Sequence, residues 1–296
     1  MKTMKFGLAG ALLGVPLLAL AAAPRATAQT TIQGTVVNVN GTGIGGVDID
    51  GYDQSGKLIK LQNDGTAGDG TFLTTLKDGP GVFDFVFNPP FGAPLLPAWV
   101  NDAICVGAKN LGTITLQPGH LISGRVLDAS LLPLSPVRLR AIDEATGQEY
   151  YIRWNDTDVA GTFTFTLPDG TFTLLFDTTF LTGPLTAPGQ VLGLAVGGDV
   201  SLGDVILPAG FVLSATCVRT GGVPLTTANV DVLDSSTGVK LYTPGDSTDG
   251  TGFVDVVVPA GTFDVRFKPS IADKLVAIEV LGVVISADTD LGTLTF

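Results

Sequence analysis

The chain has 296 residues, a net charge of −12 at pH 7 and 45% hydrophobic residues, with 39 glycines, two cysteines and one histidine. Such acidity excludes nucleic acid and anionic lipid as natural partners, since both repel a negative protein. A zinc centre needs more histidine and cysteine than this.

The first 28 residues stand apart. Lys2 and Lys5 precede an almost wholly apolar run over 6–23, and Ala26-Thr27-Ala28 forms a small-x-small cleavage site. This is the pattern of a secretory signal peptide. Gln29 would be the first mature residue, and the product would be secreted or held at the cell envelope, with no membrane insertion after cleavage. Left uncleaved, the run is long enough to span a bilayer. Lys2, Lys5 and Arg25 leave with this segment, so the remainder carries a net charge of −15.

After residue 28 no stretch shows a 3.6-residue period, and 25 of the 28 acids are aspartate, which favours turns over helices. Positions instead recur along the chain. Gly70, Gly161 and Gly252 are 91 residues apart, as are Gly56, Gly147 and Gly238. Asp53, Asp143 and Asp234 recur at 90 and 91. Leu111-Gly112, Leu202-Gly203 and Leu291-Gly292 close the copies. A fixed period means similar units, expected at 31–116, 118–207 and 209–296.

Each copy opens on an apolar-alternating strand: Ile32 to Val36, Ile122 to Val126, Leu213 to Cys217. A second strand follows (Val47 to Ile49, Val137 to Leu139, Ala228 to Val230), then a third containing Ile59, Tyr150 or Leu241. The clearest pattern is GTFTFTLPDGTFTLLF over 161–176. Phe163, Phe165 and Leu167 alternate with threonine, Pro168-Asp169-Gly170 turns, and Phe172, Leu174 and Phe176 resume. Period two on both sides of a tight turn predicts a β-hairpin with one buried face. With about seven strands per copy, the fold class is all-β: three tandem seven-stranded immunoglobulin- or transthyretin-like β-sandwiches. The junctions, Leu116-Gln117-Pro118-Gly119 and Leu207-Pro208-Ala209-Gly210, are short and stiffened by proline. An extended rod is expected rather than a trefoil. Cys217 takes the apolar position of Val126, so Cys105 and Cys217 are expected as buried free thiols, although export would permit a disulfide.

The motifs Thr157-Asp158-Val159-Ala160-Gly161-Thr162-Phe163 and Leu167-Pro168-Asp169-Gly170-Thr171-Phe172, repeated around Gly252 and Gly261, carry a resemblance. The chain resembles tandem carboxypeptidase regulatory-like domains, transthyretin-like β-sandwiches grouped with carbohydrate-binding folds. The first copy departs from the motif, with Ala67 where the aspartate should stand. The resemblance implies non-catalytic modules of secreted and surface proteins. Collagen-adhesin B-type repeats are similar too, and some hold an isopeptide bond from a lysine on the opening strand. None of these three opening strands has one.

Candidate chemistry is sparse. His120, in Gln117-Pro118-Gly119-His120, lies near no G-x-S-x-G motif, so it is expected to be an ordinary junction residue and the protein no enzyme. Asp64 and Asp69, Asp156 and Asp158, and Asp246 and Asp249 precede Gly70, Gly161 and Gly252 or their runs. Calcium is the alternative cofactor they suggest, but their spacings differ between copies and fit no EF-hand pattern. Carboxylates bonding their own turns is the plainer expectation. For sugar, the exposed aromatics to watch are Trp99 and Tyr151, with Tyr242 the counterpart of Tyr151. Tyr150, Ile152 and Trp154 share the inward parity. The stretches 88–103 and 177–200 vary most between copies and either dock a partner or simply cap the ends of each sandwich. The expected role is a structural spacer or adhesion module at the cell surface, with a protein or polysaccharide partner. The alternative is carbohydrate binding by one module.

Overall fold

The computed structural model describes residues 30–296; the signal-peptide reading falls outside them. The described chain is all-β apart from one 3-10 turn at Ile271–Asp273. The three copies contain eight, seven and six strands in turn. Each copy encloses its own apolar cluster, drawn from 32–116, 122–207 and 213–285 respectively.

Every copy is two small sheets facing one another. In the second, Thr162–Leu167, His120–Leu127 and Val200–Ile206 form one sheet. Glu149–Tyr150, Arg138–Asp143, Gly170–Asp177 and Gly189–Val196 form the other. The opening strand runs antiparallel to Thr162–Leu167 and parallel to the closing strand. The closing Leu-Gly motif lies at a bulge in this parallel pair, with Gly203 at φ +63 and Gly112 at φ +75. Only glycine takes such a conformation cheaply.

The pairing over 161–176 differs from the hairpin expected. Thr162–Leu167 and Gly170–Asp177 do not pair with one another; they lie in opposite sheets, joined by an arch at Pro168-Asp169. Phe163, Phe165, Leu167, Phe172, Leu174 and Phe176 are nonetheless all buried, as the alternation requires. In an arch the two apolar faces oppose and cover each other, so one turn closes the sandwich. Each such side chain contributes about 1.5–3 kcal/mol by burial.

Strand number also departs from seven in two copies. In the first, Leu61–Gln62 gains a place beside Thr71–Leu76. In the third, the strand expected at Leu241 shrinks to a single bridge between Leu233 and Lys240. Pro244, without an N–H, and Gly245 at φ +79 turn the chain away there.

Turn chemistry repeats with the sequence. Thr66, Thr157 and Thr248 are buried, and each hydroxyl bridges two loops. Thr157 Oγ1 accepts from the Val137 N–H at 2.9 Å and donates to the Leu134 carbonyl at 2.7 Å. Cys105 and Cys217 are unpaired and buried in different cores. Burial pushes both thiols up, Cys217 to about 11.

Candidate functional site

The two joints between copies follow one plan. At the first, the Leu96 N–H donates to the Gln117 carbonyl at 2.8 Å, and the Gly119 N–H to that of Pro94 at 3.0 Å. At the second, Ala187 donates to Pro208 and Gly210 to Leu185, both at 2.9 Å. A loop of one copy thus clasps the junction that leads into the next. The clasp requires Gly119 and Gly210. A Cβ at either would fall 2.4 Å from a neighbouring side chain, Leu96 in one case and Val257 in the other.

Beside the clasp, the joints differ in side chains. The first is aromatic. Trp99, from Ala98–Cys105, meets Tyr151 of the second copy edge to face, centroids 5.4 Å apart, and also lies 6.0 Å from Tyr52. The two aromatics singled out as candidates for sugar contact are therefore brought together from different copies. Trp99 remains 44% exposed, whereas Tyr151 is half-buried and burial pushes its hydroxyl up to about 12. Arg153 crosses the same joint, with Nη2 2.5 Å from Asp48 and Nε 3.5 Å from Asp50. Burial holds the Asp50 carboxyl above its ordinary range, against the pull of Arg153.

The second joint is polar. Tyr242, the counterpart of Tyr151, lies 3.4 Å from both Arg140 and Asp177 through its hydroxyl. Gln190 donates from Nε2 to the Lys240 carbonyl at 2.8 Å.

Trp154 does not follow its inward parity; it is 43% exposed. The strand ends at Tyr150, and beyond it the alternation no longer fixes facing. Phe91 of the first copy stands edge-on to Trp154 at 5.8 Å, and the Arg153 guanidinium lies over the indole at 5.1 Å. A groove of about 580 Å³ opens beside this pair, reaching Asn155, Asp156 and Thr164. The interior of the joint holds only about 30 Å³, about enough for a single water. Any larger ligand would have to lie against the outside, on Trp154 and Phe91 or on the open edge of Trp99. Composition gave no signal for this groove, because it depends on the joint that brings Phe91 to Trp154.

The other candidates are spent locally, apart from exposed Asp64, which bonds only through its backbone carbonyl, to the Ile49 N–H. Asp158 accepts from the Ala160 and Thr162 N–H groups and from the Thr162 hydroxyl, and these bonds hold its carboxyl low. Asp249 is held low in the same way by Thr251 and Phe253. In the first copy, where Ala67 replaces this aspartate, Asp69 bonds Thr71 instead. Asp156 pairs with Arg138 at 3.0 Å and Asp246 with Asn229 at 2.8 Å. Among the described residues no three His, Cys, Asp or Glu side chains gather so as to hold a metal ion. His120 opens its strand and meets Asp169 at 2.8 Å.

No protein-family model matches the chain, and no curated protein matches it. Solved structures do. The Bacillus anthracis TIE protein matches at 13% identity and TM-score 0.26, over 91% of this chain and 51% of its own. The chain thus spans about half the length of that protein. BcpA, the major pilin subunit of Bacillus cereus, matches at 11% and 0.23, over 90% of this chain and 99% of its own. The shaft pilin SpaA of Lactobacillus rhamnosus GG matches at 11% and 0.27, over 61% and 98%. Likeness at this level says nothing of what the chain does.

Proposed function

We propose that this is a non-catalytic exported protein of three tandem β-sandwich domains, a spacer or adhesion module at the cell surface. The observation that carries the reading is the repeated joint, which combines a backbone clasp with side chains that span it. A flexible tether between independent binding modules would need neither. Units coupled in this way hold a fixed spacing between their ends, which is what a spacer supplies. Among the described residues no helix is long and apolar enough to cross a membrane.

One observation favours a second reading. Trp99 and Trp154 are exposed at the first joint, where the second has Gln190 and Gly245 in their place, whereas exposed Phe91 has a counterpart in the likewise exposed Phe180 of the second copy. Exposed aromatic faces beside amide and carboxylate groups suit a neutral polysaccharide. The two readings separate in a pull-down of residues 30–296 on insoluble and immobilised glycans, with Trp99→Ala, Tyr151→Ala and Trp154→Ala alongside. The spacer reading expects no retention. Retention lost in these variants would replace it with sugar binding.

A further inference from the structure

The second joint is hollow where the first is filled. At both, the clasping loop of one copy and an edge strand of the next enclose the same space. At the first, Ala93, Leu95 and Pro97 meet Thr164, Phe165 and Thr166, and about 30 Å³ is left. At the second, Pro184, Thr186 and Pro188 meet Asp255, Val256 and Val257, and about 310 Å³ is left. The cause lies in three positions. Arg153 and Trp154, which line the first space, are matched by Pro244 and Gly245, and Phe165 is matched by the smaller Val256.

What remains is a walled cavity between two copies. Leu181, Pro184, Leu185 and Pro188 of the second copy line it together with Pro244 and Val256 of the third. Its threonines are spent on their own loop. The Thr178 hydroxyl donates to the Thr186 carbonyl at 2.8 Å, and the Thr179 hydroxyl donates to Asp177 at 2.7 Å. The one charged lining residue is Asp255, which stands where the first joint has Thr164. It is exposed, and its carboxylate makes no hydrogen bond or ion pair among the described residues. Its cross-strand partner Ser214 bonds a further acid, Asp290, so the field over this strand is negative.

The first joint shows what such a space accepts. There the chain itself supplies a cation and an aromatic ring, the Arg153 guanidinium lying over the Trp154 indole at 5.1 Å. The second joint lacks both and has a carboxylate instead. We propose that the cavity of the second joint binds a small organic cation with an aromatic body, its ammonium on Asp255 and its ring against Pro244 and the Leu181 to Pro188 wall. Apolar walls with one charged group make a small-molecule site, the walls supplying affinity and the charge orientation. An anion of the same shape would meet Asp255 as a like charge. The walls come from two copies, so the ligand holds them together. This goes beyond the spacer reading and does not depend on it: an empty cavity would leave that reading standing. Nor does it involve the aromatics of the first joint, on which the sugar reading turns.

Titration calorimetry of residues 30–296 with tryptamine at pH 7 tests the proposal. Tryptophol, the same ring system ending in a neutral hydroxyl, is the comparison. The expected result is one tryptamine per chain, bound about tenfold more tightly than tryptophol. Asp255→Asn should weaken tryptamine by about tenfold and leave tryptophol unchanged. Pro244→Arg puts the arginine of the first joint back into the space and should abolish binding of both. Asp255 is exposed, and unchanged thermal unfolding of its variant is the control. No tryptamine binding, several weak sites in place of one, or equal affinity for the two ligands overturns the proposal. So does indifference to Asp255→Asn, or binding that survives Pro244→Arg.

Discussion

Gly124 lies directly under the ring of its cross-strand partner Phe163: a Cβ at 124 would fall 2.6 Å from Phe163 Cζ. Gly34 stands to Phe72 in the same way, at 2.8 Å. The third copy replaces both members together, with Ala215 opposite Val254. Glycine and a large ring, or alanine and a small branch, fill one space. Gly124→Ala should therefore destabilise the second copy by about 1–3 kcal/mol through overpacking. Combined with Phe163→Val, the loss should be smaller than the two single losses added. Urea unfolding of the four proteins measures this coupling, and strict additivity would show that the two positions do not share the space.

Phe172 is buried where the arch brings the two sheets together, 6.2 Å from the ring of Tyr150. Phe172→Ala should cost about 3–5 kcal/mol. An unchanged unfolding midpoint would mean that the ring is not in the core.

Thr157 bridges the Val137 N–H and the Leu134 carbonyl inside the fold. Thr157→Val keeps the shape and leaves both backbone groups unpaired, at a cost of about 1–3 kcal/mol. Thr157→Ser should retain most of that stability. Chemical denaturation of the pair separates the hydroxyl from the methyl group.

The Tyr151 hydroxyl is pushed up from an ordinary value near 10 to about 12, chiefly by burial at the joint. A raised value means that the folded joint favours the neutral phenol. Its contribution is complete below pH 10 and is lost as pH rises from there through about 12. Burial raises all four tyrosines, so a spectrophotometric titration should show each ionising above the ordinary value with Tyr151 the last, and Trp99→Ala should bring Tyr151 earlier by opening the joint. Ionisation of Tyr151 no later than the other three tyrosines would contradict its burial at the joint.

What the sequence revealed and what it hid divide along physical lines. Alternation reports which way side chains face, so Phe163 through Phe176 could be placed in a core from residue order alone. It does not report which strand lies alongside. A hairpin and an arch give the same alternating string, and only the packing of the opening strand against Thr162–Leu167 decides between them. Parity failed at Trp154 because the strand had already ended. Trp99 and Tyr151 stood out separately as surface aromatics, but their contact is a property of two copies docked together, and no local pattern encodes that.

The most direct test of the joint as the organising feature is small-angle scattering of residues 30–296, with an Arg153→Ala/Trp99→Ala double variant, extrapolated to zero concentration. The account predicts one narrow distribution of distances for the native chain and a broader one for the variant, whose first joint loses its ion pairs and its ring contact. A native chain as broadly distributed as the variant would show that the copies are independent modules on a tether, and would contradict the account.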